Sequence, residues 1–145
     1  MGYREASSSY KETRIKTAGQ GQLIVMMYDG AIKQLTIALD LLEENKEKRD
    51  PASIELINKA IMKTEEIITE FMISLDFEQG GEIAKNLFSL YTWFNRELLE
   101  ANISQDVKRI TNVRKMLSDL RNTWSQVSQN AAAQNREAVG LNIAG

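Results

Sequence analysis

The sequence predicts an all-α protein: an antiparallel four-helix bundle with a mobile N-terminal arm and a weakly structured C-terminal tail. Apolar residues recur at spacings of three and four over long stretches, no useful length of chain alternates apolar with polar residues, and the connections between periodic stretches are short. Such stripes must be buried against one another, and short connections make successive helices antiparallel neighbours. The expected organisation is an arm over residues 1–19, a bundle over 20–127 and a tail over 128–145.

Residues 1–19 scatter Ser7, Ser8, Ser9 and charges around isolated Tyr3, Tyr10 and Ile15, which predicts an arm, with a short extra helix left open. From about Gln20, the residues Leu23, Met27, Ala31, Leu35, Ala38, Leu39 and Leu42 form the first helical stripe, which ends among Glu43 to Arg49. Asp50-Pro51 then restarts the chain. Proline lacks an N–H that would be unbonded at a helix start anyway, and a capping Asp accepts from the orphan N–H groups, a contribution of about 1 kcal/mol. The second stripe, Ile54, Ile57, Ile61, Thr64, Ile68, Phe71 and Leu75, spans about 25 residues, or roughly 37 Å of helix. Asp76 with Gly80-Gly81 reads as a helix stop and restart, after which Ile83, Leu87, Leu90, Tyr91, Phe94 and Leu98 begin a third helix that ends near Asn102. With Ser104 as its expected cap, a fourth follows through Val107, Ile110, Val113, Leu117, Leu120, Trp124 and Val127. Beyond it, SQNAAAQNREAVGLNIAG loses the heavy apolar stripe, hence the tail.

At 145 residues and 43% hydrophobic content, one domain is expected, able to bury roughly 70% of its unfolded surface. The chain has no Cys, which removes disulfides, thiolate metal sites and thiol nucleophiles. It has no His either, which removes the commonest general base and metal ligand. A carboxylate-only metal enzyme would need Glu65, Glu66, Glu70 and Asp29 to meet inside the bundle, a poor ligand set beside the simpler reading of solvated faces. No cofactor, metal or catalytic residue is therefore expected. A net charge of −2 offers no long-range attraction to phosphate backbones, so nucleic acid is not an expected partner. The longest apolar run, Leu23 to Tyr28, is far short of the ~20 residues of a membrane span, so no membrane insertion is expected. MGYREASSSYKE has no apolar stretch of a secretory signal, and a cytoplasmic location is the expectation.

Function is thus sought in a surface. The second helix carries more acids, Glu55, Glu65, Glu66, Glu70 and Asp76, while the fourth carries Lys108, Arg109, Arg114, Lys115 and Arg121. The two read as complementary solvated faces, with a basic docking strip on the last helix as the sharper alternative. Met26 and Met27 suit either the core or an adaptable groove, and Tyr28 suits a groove with its hydroxyl in water. Asp29 reads as the surface partner of Lys33, four residues on. Gly30 costs a helix interior about 1 kcal/mol relative to Ala, which points to close approach of another helix, of this chain or of a client. Asn86 and Asn102 are short amides able to bond a partner's backbone or a local turn. Tyr91, Trp93 and Phe94 cannot all face one core, and Trp93 is the candidate for the exposed ring.

From Tyr10 through Trp124 the chain resembles the flagellar secretion chaperone family FliS. The resemblance rests on Tyr10, on Ile15-x-Thr17-Ala18, then LIVMMYDGAI, SLDFEQGGEIAKNL, LYTWFNREL, Ala101-Asn102 and LRNTW, in that order over some 115 residues. Gly19 stands where the family commonly carries Pro or a polar residue, which implies a more flexible arm. The resemblance implies a chaperone that binds the disordered C-terminal segment of flagellin, prevents premature polymerisation and hands the client to a component of the export gate. It implies client contacts at Tyr10, Ile15, Met27, Tyr28, Gly30, Ala84, Asn86, Leu87, Tyr91, Trp93, Ala101 and Asn102. It also implies an arm that lies over the client site when no client is bound. Weak homodimerisation belongs with the partners to be tested, and the alternative function is a self-associating structural bundle with no flagellin client.

Overall fold

The computed structural model describes the backbone of residues 2–144 and the side chains of residues 19–131. Tyr10 and Ile15 lie outside the described side chains. Four helices follow one another, α1 (Gly2–Glu44), α2 (Pro51–Ser74), α3 (Phe77–Ser104) and α4 (Val107–Ala144), with no strand among the described residues. The chain divides into two compact units, Met1–Tyr28 with Asp119–Gly145, and Asp29–Ser118.

The unit Asp29–Ser118 is a four-helix bundle to which every helix contributes core. Ala31, Leu35, Ala38 and Leu42 come from α1, Ile57, Ala60, Ile61, Ile68 and Phe71 from α2, Ala84, Tyr91, Phe94, Leu98 and Ala101 from α3, and Ile110, Val113 and Leu117 from α4. These are largely the predicted stripes. Thr64 is fully buried within them and is satisfied locally, its hydroxyl donating to the Ala60 carbonyl at 3.0 Å.

Caps explain where the helices begin and end. Asp50 takes the expected role, accepting from Ala52 N–H at 3.1 Å, with Pro51 at the first helical position. The loop before it is held by buried Asn45, whose Oδ1 accepts from the Asp50 N–H at 2.6 Å. The break between α2 and α3 falls at Leu75–Asp76, earlier than the glycines that were expected to make it. There Asp76 accepts from both Glu78 and Gln79 N–H groups at 3.1 Å, so the restart needs no glycine. Gly81, at φ 50 and ψ −124, instead kinks α3 after its first turn. Ser104, the expected cap of α4, is the last residue of α3, and its hydroxyl donates to Glu100. Asp106 caps α4 instead, accepting from Lys108 N–H at 3.0 Å.

One residue of the third stripe is misplaced. Ile83, read as the start of the third stripe, is 71% exposed, while its neighbour Ala84 is buried. Ala84 lies seven residues, about two turns, before buried Tyr91 and shares its side of α3, so Ala84 and not Ile83 is turned inward. Val107 and Val127, the ends of the fourth stripe, are also exposed.

In the other unit, Gly19 at φ 79 and ψ 165 interrupts α1. Two residues on, Gly21 packs directly against α4, where an added Cβ would lie 2.8 Å from Ser128 Cβ. Within this chain, the close helix approach expected at Gly30 is found at Gly21 instead. At Gly30 an added Cβ meets only Ile67 Cδ1, at an ordinary 3.7 Å.

Candidate functional site

Helix α3 carries most of the predicted site residues, and its regular phase after Gly81 decides which of them face inward. Tyr91 stacks on Phe71 of α2 with ring centroids 5.5 Å apart, and Phe94 lies 6.3 Å from Tyr91. Trp93 shares an edge with Phe94 at 5.8 Å yet remains 37% exposed, as the helical angles of the three aromatics require. Asn86 is exposed, and Leu87 and Asn102 are half-buried, with the Asn102 Oδ1 covered and lacking a hydrogen-bond partner. Ala84, Tyr91 and Ala101 are core, and so offer no surface to a partner in this conformation. On α1, Met27 and Gly30 are half-buried, whereas Tyr28 is wholly buried, which corrects the reading of its hydroxyl as water-facing.

Reading one stripe per helix overlooked a second. On the outer face of α3, Phe88, Thr92, Asn95, Leu99 and Ile103 recur at three and four, and on α2 Met62, Glu66, Thr69 and Ile73 do the same. The two stripes meet where Asn95 Nδ2 donates to Thr69 Oγ1 at 3.2 Å, beside Met72 Sδ at 3.9 Å. At the turn, Phe77 packs edge-on against Phe88 at 5.8 Å. Six large apolar side chains of this face are substantially open, from Phe88 at 41% to Ile73 at 79% exposure. Their spacing was visible in the sequence, but out of phase with the stronger stripe on the same helix.

The electrostatics of the hairpin follow from its composition. From Pro51 to Ser104 there are nine carboxylates against four Lys and Arg, a net charge of −5 within a chain of −2. Partial burial of Glu65 pushes its carboxyl above the ordinary value of 4.5. At the other end of α3, attraction to Glu97, and then the hydrogen bond between them, holds the Arg109 guanidinium more firmly protonated, with Asp106 3.2 Å from its Nε. This links α3 to the first turn of α4. Among the described residues no three His, Cys, Asp or Glu come together to hold a metal, and none of the helices is long and apolar enough to cross a membrane.

A long apolar outer face on a helical bundle is the kind of surface on which helical proteins dock other polypeptides. The family described as Flagellar protein FliS matches residues 3–131. The chain is 37% identical over 124 residues to the flagellar secretion chaperone FliS of Salmonella typhimurium, covering 85% of this chain and 87% of that one. It is 24% identical over 141 residues to the protein of the same name from Bacillus subtilis, covering 97% and 99%, and 30% identical over 115 residues to that of Escherichia coli, covering 79% and 80%. The chain belongs to the FliS family, and so to the flagellar secretion chaperones.

Proposed function

We propose that this protein is a cytoplasmic export chaperone that binds the disordered C-terminal segment of flagellin, keeps it from polymerising and delivers it to a component of the export gate. Membership of the FliS family over residues 3–131 is the observation that carries this reading. The surface suits it. A filament subunit's terminus carries an apolar stripe meant for helix–helix contact, and covering that stripe blocks premature assembly. Ordering a disordered segment costs about 2 to 5 kcal/mol of the gross interaction energy, so the contact should be long and largely apolar. Among the predicted contacts, Met27, Gly30, Asn86, Leu87, Trp93 and Asn102 keep surface that a client can reach. Release by handover requires no hydrolysis in this chain.

The test is titration with a peptide covering the C-terminal segment of the cognate flagellin, followed by calorimetry and circular dichroism. Binding near one to one with a gain of helicity is expected. Absence of binding at tens of micromolar, with a mass that grows with concentration, would replace the chaperone reading by the self-associating bundle.

A further inference from the structure

We infer that the first turn of α3 is a hinged cover, which Gly80 and Gly81 let fold back onto Phe88 and which swings away when α3 straightens. This rests on the client-binding reading above and adds a gate to it. Phe77 and Phe88 are eleven positions apart, about 16 Å along a straight helix. Helical side chains tilt toward the N-terminus, so on a straight helix the Phe77 ring would lean away from Phe88. The two rings nonetheless meet edge-on with centroids 5.8 Å apart. Their contact is a product of the kink that lies between them.

Two glycines make that kink, each in its own way. Gly81 holds φ 50 and ψ −124, a combination closed to L side chains and open to glycine, which passes between it and helical dihedrals without a Cβ clash. Gly80 lets the turn come down on the helix, since a Cβ added there would lie 2.8 Å from Ala84 Cβ. On a straight helix positions 80 and 84 are ordinary neighbours, with Cβ atoms about 5 to 6 Å apart. A side chain at either glycine thus opposes the folded-back turn and suits the straight helix.

The second joint is Leu75–Asp76, where both residues are extended. Between the joints the turn is braced to move as one piece: the Asp76 carboxylate accepts from Glu78 and Gln79 N–H, and its carbonyl accepts from Gly80 N–H at 2.8 Å. The hold of the cover on the helix is slight, because Phe77 stays 46% and Phe88 41% exposed while they touch. A weak contact between two conformations that glycine allows is a bistable element, and a ligand that prefers one of them shifts it. When the turn swings away, Phe88 is uncovered at the end of the outer apolar face and adds its ring to the surface open to a client.

The chain has no cysteine, so a pair of spin labels can be placed at Gln79→Cys and Arg96→Cys, both exposed on α3. A straight helix puts these positions about 26 Å apart, and the folded-back turn brings them closer, a difference read by double electron–electron resonance. The labelled parent is expected to show the shorter distance, and its Gly81→Ala and Gly80→Ala variants the straight one. Saturation with the cognate flagellin C-terminal peptide should lengthen the parent's distance to that of the variants. Both variants should bind the peptide about tenfold more tightly than the parent, the factor expected when about a tenth of the free protein is straight. Thermal melts check that each variant is folded, and the two glycines supply independent routes to the straight state. An unchanged distance in both variants would overturn the hinge. A parent that keeps the shorter distance when saturated with peptide, or straight variants that bind no more tightly, would overturn the cover and leave client binding in place. Lengthening in the variants with no peptide bound by any of the proteins at tens of micromolar would remove the client reading, and with it the gate, while the hinge stands.

Discussion

The two faces of the α2–α3 hairpin are built from similar residues and reach opposite ends. On the inner face Phe71, Tyr91, Phe94 and Leu98 are all at 5% exposure or below, whereas on the outer face Phe88, Leu99 and Ile103 run from 41% to 74%. Each face keeps a three- and four-residue period. The difference is that the inner stripe is covered by packing within the bundle, whereas among the described residues the outer one meets the seam between α2 and α3. Burial of apolar area is worth about 25 cal/mol per Å², and an uncovered stripe of this size leaves that free energy unrealised within the chain.

The sharpest way to break that contrast is on the inner face. Phe94→Ala should cost about 3 to 5 kcal/mol, read as a large fall in the denaturant midpoint, because its ring is wholly buried and the neighbours cannot collapse fully. Next in size is the turn that holds the faces back to back. Asp76→Ala leaves the Glu78 and Gln79 N–H groups without their acceptor and should cost about 1 kcal/mol in the same measurement. A gain of up to about 1 kcal/mol is expected for Gly30→Ala, since the new methyl meets only Ile67 at ordinary contact distance and the helix loses a flexible residue. A loss there would mean that the close approach first read at Gly30 is real.

Smaller effects sharpen the outer face. The pKa of Glu65 is raised in the folded state, so the native protein binds this proton more readily than the unfolded chain. Its unfavourable contribution is absent below the unfolded value of 4.5 and grows as pH rises through the raised folded value. Glu65→Gln should therefore be slightly more stable than the parent at pH 7, with the difference vanishing below pH 4.5 in paired denaturation series. Leu99→Ser is expected to change stability by no more than about 0.5 kcal/mol, because its side chain already faces water. Equal destabilisation by Leu99→Ser and Phe94→Ala would erase the distinction between the faces.

Much of this protein was legible in the chain. The all-α class, the restart at Asp50-Pro51 and nearly all of the inner stripe on α2 follow from periodicity and capping chemistry, which act within one helix and over a few residues. The exposure of Trp93 beside buried Tyr91 and Phe94 follows from helical angles alone. Tertiary structure decided what local rules do not reach. It turned Ala84 rather than Ile83 inward, placed this chain's own close helix contact at Gly21 rather than Gly30, buried Tyr28, and joined the outer stripes of α2 and α3 through Asn95 and Thr69. A helical period tells which residues of one helix share a side, but only the packing of separate helices determines which sides are covered and which are left for a partner.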